Sequence, residues 1–216
     1  KDYINFMLTG KIATDFSYAS GTGIYDLLEW KYNENFISAS GLPAEIWPEI
    51  LPSTAILGEI LPEVADKIGL SSKTKVVCGG VDNSCMALGA KNTREGRVYT
   101  SLGSSAWIAV SSEKPVLDKK YKPYVFTHVI PGMFTSAVSI FSAGTTYSWV
   151  KDQFCEIQEK EAQKTGQDVY ALMNIEAEKA PIGSNKLLFN PSLAGGTSQD
   201  SSVHLRGAYM GLDLKH

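Results

Sequence analysis

Residues 76–91 read Val-Val-Cys-Gly-Gly-Val-Asp-Asn-Ser-Cys-Met-Ala-Leu-Gly-Ala-Lys. The stretch opens on a short apolar run, Val76-Val77-Cys78, of the kind a buried strand uses. It closes on small residues from Ser84 to Lys91 that suit a helix. Between them, Gly79-Gly80 lets another backbone or a ligand come close. Strand, double glycine, acid and helix in that order make one unit of an α/β fold, with Asp82 at the mouth of the helix. The first N–H groups of that helix point at the same spot. A carboxylate there can accept a proton from a substrate hydroxyl, and Asn83 can hold a neighbouring hydroxyl through its amide. The position equally suits a plain N-cap. Spacing alone therefore leaves Asp82 as either a cap or a base.

Upstream, residues 2–9 carry Tyr3, Ile4, Met7 and Leu8 at helical spacing, with Gly10 as the stop. Residues 14–23 are small and polar and read as a loop, while 25–32 and 35–40 read as short helices. Pro43, Pro48 and Pro52 then punctuate an irregular stretch. Residues 62–68 (PEVADKI) read as a compact helix, with proline at its start and Gly69 at its end. The chain opens on Lys1 directly in front of its first helix, which reads as an internal piece of a longer protein.

Downstream, residues 92–96 (NTREG) are polar and end in glycine; acidic residues outnumber basic ones before them and the two roughly balance after. A domain boundary is expected here, giving parts 1–92 and 93–216. Residues 97–102 and 106–110 flank Gly103-Ser104-Ser105 as a hairpin, and 124–130 and 133–138 flank Pro131-Gly132 as a second. Helices are expected at 145–153, at the highly charged 156–164, and at 170–180, followed by a strand at 186–189. This pattern predicts an α/β protein with its active site between two domains.

Composition narrows the function classes. A net charge of −3 argues against a nucleic-acid surface, which needs clustered lysine and arginine. Three cysteines without CxxC spacing are no disulfide framework and fit a reducing, cytoplasmic setting. No apolar run reaches the roughly 18 residues that span a bilayer. His128, His204 and His216 lack zinc-site spacing, and neither GxxxxGK[ST] nor GxSxG occurs. The Gly103-Ser104 tip could offer backbone N–H groups to a phosphate or be an ordinary turn. Ser142-Ala143-Gly144-Thr145-Thr146 could face a nucleotide or allow close packing.

Taken in order, these pieces resemble the FGGY carbohydrate kinases. Asp2-Tyr3-Ile4…Leu8-Thr9-Gly10 is similar to the family's helix ending in LTG, and Thr14-Asp15…Ser17…Ala19-Ser20 to the stretch after it. Gly79-Gly80-Val81-Asp82-Asn83 resembles its GGxDN segment, and Ser101-Leu102-Gly103-Ser104-Ser105 its SLGTS phosphate hairpin. Phe126…His128…Pro131-Gly132, Gly144…Trp149, Phe189…Pro191…Gly195 and Arg206-Gly207-Ala208…Gly211-Leu212 resemble the segments that follow. Ser104 stands where threonine is usual, Ala106 where glycine is common, and Gly196-Thr197 where Glu-Arg is frequent. The Asp-Asn pair looks most like that of xylulokinases.

The resemblance implies an actin-like fold, in which two ribonuclease-H-like domains close over ATP and a sugar. Residues 1–92 would be the C-terminal portion of the sugar-binding domain, and 93–216 the N-terminal portion of the ATP-binding domain. Asp82 would be the catalytic base and Asn83 a sugar contact. Gly103 and Ser104 would sit at the β- and γ-phosphates and Gly144 near the nucleotide. ATP and Mg²⁺ would be required, the metal riding on phosphate oxygens, with no metal ligand assigned to this chain. The reaction would move the γ-phosphate of ATP to a hydroxyl of a pentulose such as xylulose. Gluconate, ribulose or glycerol are alternatives, as is a binding module without catalysis. The isolated piece would be inactive. The expected partners are a small-molecule sugar and, as an option, a second copy of the chain in a homodimer, with no nucleic acid and no membrane.

Overall fold

The computed structural model describes residues 1–197, 199–214 and 216. They divide into two compact units. The first comprises Lys1–Tyr99, Ala109–Leu117 and Pro123–Ala137; the second comprises Thr100–Ile108, Asp118–Lys122 and Val138–His216.

The first unit begins with helix α1 (Asp2–Thr9), which ends where Gly10 turns left-handed at φ 70° and its N–H returns to the Phe6 carbonyl. Strand β1 (Ala13–Asp15) follows and runs parallel to β4 (Glu49–Leu51), with Asp15 opposite Leu51. The stretch expected to be a loop is thus a strand followed by the short helix α2 (Phe16–Ala19). Asp15 caps that helix through the N–H groups of Ser17 and Tyr18.

Residues 25–32, expected as a helix, form a tight hairpin of β2 (Tyr25–Asp26) and β3 (Lys31–Tyr32). Asp26 decides this. Its carboxylate accepts the N–H groups of Leu28 and Glu29, closing a turn that competes with helix. Trp30 completes the reversal at φ 53°, held by ring contacts to Phe16 and Phe134 at 5.5 and 5.2 Å. Helix α3 (Glu34–Ser40) is capped by the Asn33 side chain.

Strand β5 (Ile56–Glu59), helix α4 (Pro62–Ile68) and strand β6 (Lys75–Val77) come next, with β5 and β6 antiparallel. Two small apolar clusters hold these elements. Ala13, Leu57 and Cys78 form one; Ile60, Ala65 and Val76, with Leu8 and Val64 against them, form the other. Burying a side chain such as Leu57 contributes about 1.5–3 kcal/mol. Helix α5 (Asp82–Gly89) leaves this core after the double glycine.

Strands β7 (Val98–Leu102), β8 (Ala106–Ser112), β9 (Tyr124–Thr127) and β10 (Phe134–Ile140) form a four-stranded sheet in the order β7-β8-β10-β9. The β9–β10 hairpin pairs Thr127 with Phe134 and Tyr124 with Ala137. Beside it, His128 is buried in the first unit. Its Nδ1 accepts the Ile130 N–H at 2.9 Å, so Nε2 carries the proton and donates to the Asn92 carbonyl at 3.1 Å. Burial pushes its pKa down from the ordinary imidazole value. It is a structural histidine.

In the second unit, α6 (Gly144–Phe154), the exposed α7 (Glu156–Thr165) and α8 (Val169–Ala177) follow one another. Strands β11 (Leu188–Asn190) and β12 (Ala208–Met210) pair antiparallel. Phe189 stacks on Tyr209 at 4.5 Å and lies parallel to Trp149 at 6.4 Å, fixing α6 to this hairpin. No helix among the described residues is long and apolar enough to cross a membrane.

Candidate functional site

The sequence-derived candidates fall into two groups, one in each unit. In the first, the backbone after β6 makes a sharp left-handed turn at Gly79, φ 74°. Gly80 sits where a side chain has no room. A Cβ there would lie 2.2 Å from Val129 Cγ1, 3.1 Å from Ser17 Oγ and 3.2 Å from Cys85 Sγ. The N–H of Gly79 donates to the Ser53 carbonyl at 2.8 Å.

Val81, not Asp82, is the N-cap residue of α5, and no side chain caps the helix. Asp82 occupies the first helical position and is exposed; its Oδ1 accepts the N–H of Asn83 at 2.8 Å. Asp82 is therefore not the N-cap residue that spacing allowed, although one of its oxygens takes a first-turn N–H. A negative charge at this end also sits favourably on the helix dipole. Asn83 is half-buried, and its carbonyl accepts the Tyr99 hydroxyl at 3.3 Å. Its side-chain amide remains available to a ligand hydroxyl among the described residues.

Behind this turn lies a polar group that sequence reasoning did not single out. The Asp15 carboxylate is fully buried. Its Oδ2 accepts Ser17 Oγ at 2.5 Å, Ser53 Oγ at 2.7 Å and the Ser17 N–H at 3.0 Å, while Oδ1 faces Lys1 Nζ at 3.1 Å. Ser17 Oγ in turn accepts the Val81 N–H at 2.9 Å. Lys1 also pairs with Asp2, and its aliphatic chain reaches Gly79. These carboxylates hold its pKa above the ordinary lysine value, against the opposing effect of burial. The only signal in the sequence was the compact Thr14-Asp15…Ser17 spacing.

In the second unit, Gly103, Ser104 and Gly144 do come together. The hairpin tip between β7 and β8 meets the N-terminus of α6. There Gly144 N–H donates to the Gly103 carbonyl at 2.9 Å, and the Ala143 N–H to the Ser104 carbonyl at 2.8 Å. A Cβ on Gly144 would lie 2.6 Å from the Gly103 carbonyl oxygen. The carbonyls of the tip are thus spent on α6, whereas the N–H groups of Ser104 and Ser105 have no partner among the described residues. Ser104 borders a cleft of about 530 Å³ lined also by Gly144, Thr145, Tyr147, Ser148 and Tyr170. A free amide and a serine hydroxyl suit anionic oxygens there, while the Thr145 hydroxyl already donates to the Ser104 carbonyl at 3.2 Å. The rings of Tyr147 and Tyr170 lie 5.3 Å apart along it. Among the described residues no three His, Cys, Asp or Glu side chains gather closely enough to hold a metal ion.

Residues 1–89 match the N-terminal domain of the FGGY family of carbohydrate kinases. Over its whole length the chain is 33% identical to a xylulose kinase of Bacillus subtilis and covers 41% of it. Residues 1–89 are an FGGY-type N-terminal domain, and the whole chain resembles FGGY carbohydrate kinases. An autoinducer-2 kinase of Yersinia pestis is 32% identical over 99% of the chain, which covers 40% of that protein. The crystal structure of xylulose kinase from Rhodospirillum rubrum superposes with a TM-score of 0.83 at 26% identity, over 100% of this chain and 41% of that one. The chain thus has the actin-like fold of FGGY sugar kinases and spans about 41% of the length of the curated relatives it matches most fully. In this chain, the GGxDN-like segment is the turn at Gly79–Asn83, and the SLGTS-like segment is the donor-bearing tip at Gly103–Ser105.

Proposed function

We propose that the protein containing this chain is a cytoplasmic ATP-dependent sugar kinase that phosphorylates a pentulose such as xylulose. The observation that carries the reading is the Asp82 carboxylate, exposed at the first position of α5, with Val81 as the N-cap residue. It is suited to accept the proton of an attacking sugar hydroxyl. Asn83 follows it with an amide suited to a second hydroxyl. Kinship to xylulose kinases supports the choice of sugar.

In this reading residues 1–92 belong to the sugar-binding domain and 93–216 to the ATP-binding domain. The free N–H groups of Ser104 and Ser105 hold the terminal phosphates of ATP, and Gly144 leaves room for the hairpin tip to approach α6. Such fixed donors stabilise charge as it develops on the phosphoryl group, which is most of what phosphoryl transfer asks of a protein. Mg²⁺ would be held through the phosphate oxygens, where it neutralises charge.

The test uses the full-length protein, ATP and a panel of xylulose, ribulose, gluconate, glycerol and autoinducer-2. Asp82→Asn keeps the shape of the side chain and removes the base. Its kcat on the preferred sugar is expected to fall by about 10²–10⁴-fold. Near wild-type turnover in this variant refutes the assignment of the base, and preference for another member of the panel refutes the choice of sugar.

A further inference from the structure

Asp15 touches none of the groups assigned to the chemistry, yet a charge is buried there. Burying a carboxylate is costly unless it is paired and hydrogen-bonded, and an apolar side chain of similar size often serves stability as well. Lys1 and four donors satisfy this one. What the charge achieves that an apolar residue cannot is the orientation of a hydroxyl. Ser17 has a single proton, and the charge-assisted bond to Asp15 Oδ2 fixes it there. The lone pairs of Ser17 Oγ are then turned toward the Val81 N–H, 2.9 Å away. Without the carboxylate the hydroxyl could still accept that N–H, but its orientation would no longer be fixed from both sides. Val81 immediately precedes Asp82, and the Ser17 bond holds the backbone there, beside the bonds from Ser84 Oγ to the Thr127 carbonyl and from the Tyr99 hydroxyl to the Asn83 carbonyl.

We propose that Asp15 and Ser17 are positioning residues for Asp82: the buried carboxylate orients the Ser17 hydroxyl, which holds the backbone in front of the base. The proposal rests on the kinase reading above. Ser53 supplies a matched control. Its hydroxyl donates to the same Asp15 oxygen from a buried position, but among the described residues it makes no hydrogen bond to Val81.

The experiment compares Ser17→Ala with Ser53→Ala in the full-length protein, measuring kcat, both KM values and urea stability. Each variant removes one buried hydroxyl from Asp15, and Ser17→Ala also leaves the Val81 N–H without its acceptor, so Ser17→Ala is expected to lose more stability. Ser17→Ala is expected to lower kcat about tenfold or more through misplacement of Asp82, with the KM for ATP unchanged. Ser53→Ala is expected to keep kcat within about twofold, because the Val81 bond survives. Equal kcat losses in the two variants, or a Ser17→Ala enzyme with wild-type kcat, overturn the positioning role. Wild-type protein that turns over no sugar of the panel instead overturns the kinase reading, and this proposal with it.

Discussion

Gly80→Ala gives a sharp test of how tightly the turn before Asp82 is packed. The added methyl would lie 2.2 Å from Val129 Cγ1, whereas carbon atoms in ordinary contact sit about 3.5–4.0 Å apart. One side must therefore open by about 1.3 Å or more. Val129 is poorly placed to yield, being 8% exposed and branched at Cβ, with few alternative rotamers. Retreat of the Gly80 backbone is limited by Ser17 Oγ at 3.1 Å and Cys85 Sγ at 3.2 Å. The expected loss is that of an overpacked core, about 2–3 kcal/mol. Urea denaturation of the full-length protein followed by tryptophan fluorescence reads it, since Trp30 and Trp47 belong to the same unit. A second variant separates the clash from other causes. Val129→Ala alone costs about 1.6 kcal/mol for two buried methyl groups. If the effects were independent, the double variant would lose about 4 kcal/mol. Removal of Cγ1 also removes the obstruction, so the double variant is expected to be no less stable than Gly80→Ala alone. A Gly80→Ala loss under about 0.5 kcal/mol, or a double variant equal to the sum, refutes the packing argument.

Gly144→Ala places its Cβ 2.6 Å from the Gly103 carbonyl oxygen, and backbone cannot swing aside as a side chain can. The hairpin tip is expected to shift, raising the KM for ATP about tenfold while the sugar KM holds; an unchanged ATP KM in steady-state assays counts against a phosphate role for the tip. His128 makes stability depend on pH. Its folded pKa lies below the unfolded value, so the unfolded chain binds the extra proton first. Its contribution is full above about pH 6.5 and is lost as pH falls toward the folded pKa. Denaturation midpoints are expected to drop on acidification, and His128→Asn to flatten that slope; parallel slopes for the two proteins refute it.

Local punctuation in the sequence revealed those elements whose boundaries are set by a single residue. Gly10, Gly41 and Gly69 each end a helix in the left-handed conformation, as their positions suggested. Pro131-Gly132 likewise marked the β9–β10 hairpin. Residues 25–32 misled because Leu27, Leu28 and Trp30 among charges mimic helical spacing, while the outcome is set by an Asp26 side-chain turn and by ring contacts to distant Phe16 and Phe134. The strand at Ala13–Asp15 was hidden for a related reason. Its three residues are all buried, so it shows no alternation, and its partner β4 lies far along the chain. Asp82 was visible as a candidate but not its place inside the helix, which depends on the helix starting one residue earlier than the usual cap position would require. Asp15 could not be read as a hub, because a carboxylate followed by serine is common and only burial distinguishes this one.

The bond from Val81 to Ser17 joins residues 64 positions apart in the chain. Ordering the segment ahead of Asp82 therefore depends on closing a long loop, not on any local propensity. The entropy of such a closure grows only logarithmically, by about 0.6 kcal/mol for each doubling of length. Insertions in the exposed turn at 41–46 should thus be tolerated with little effect on the fastening.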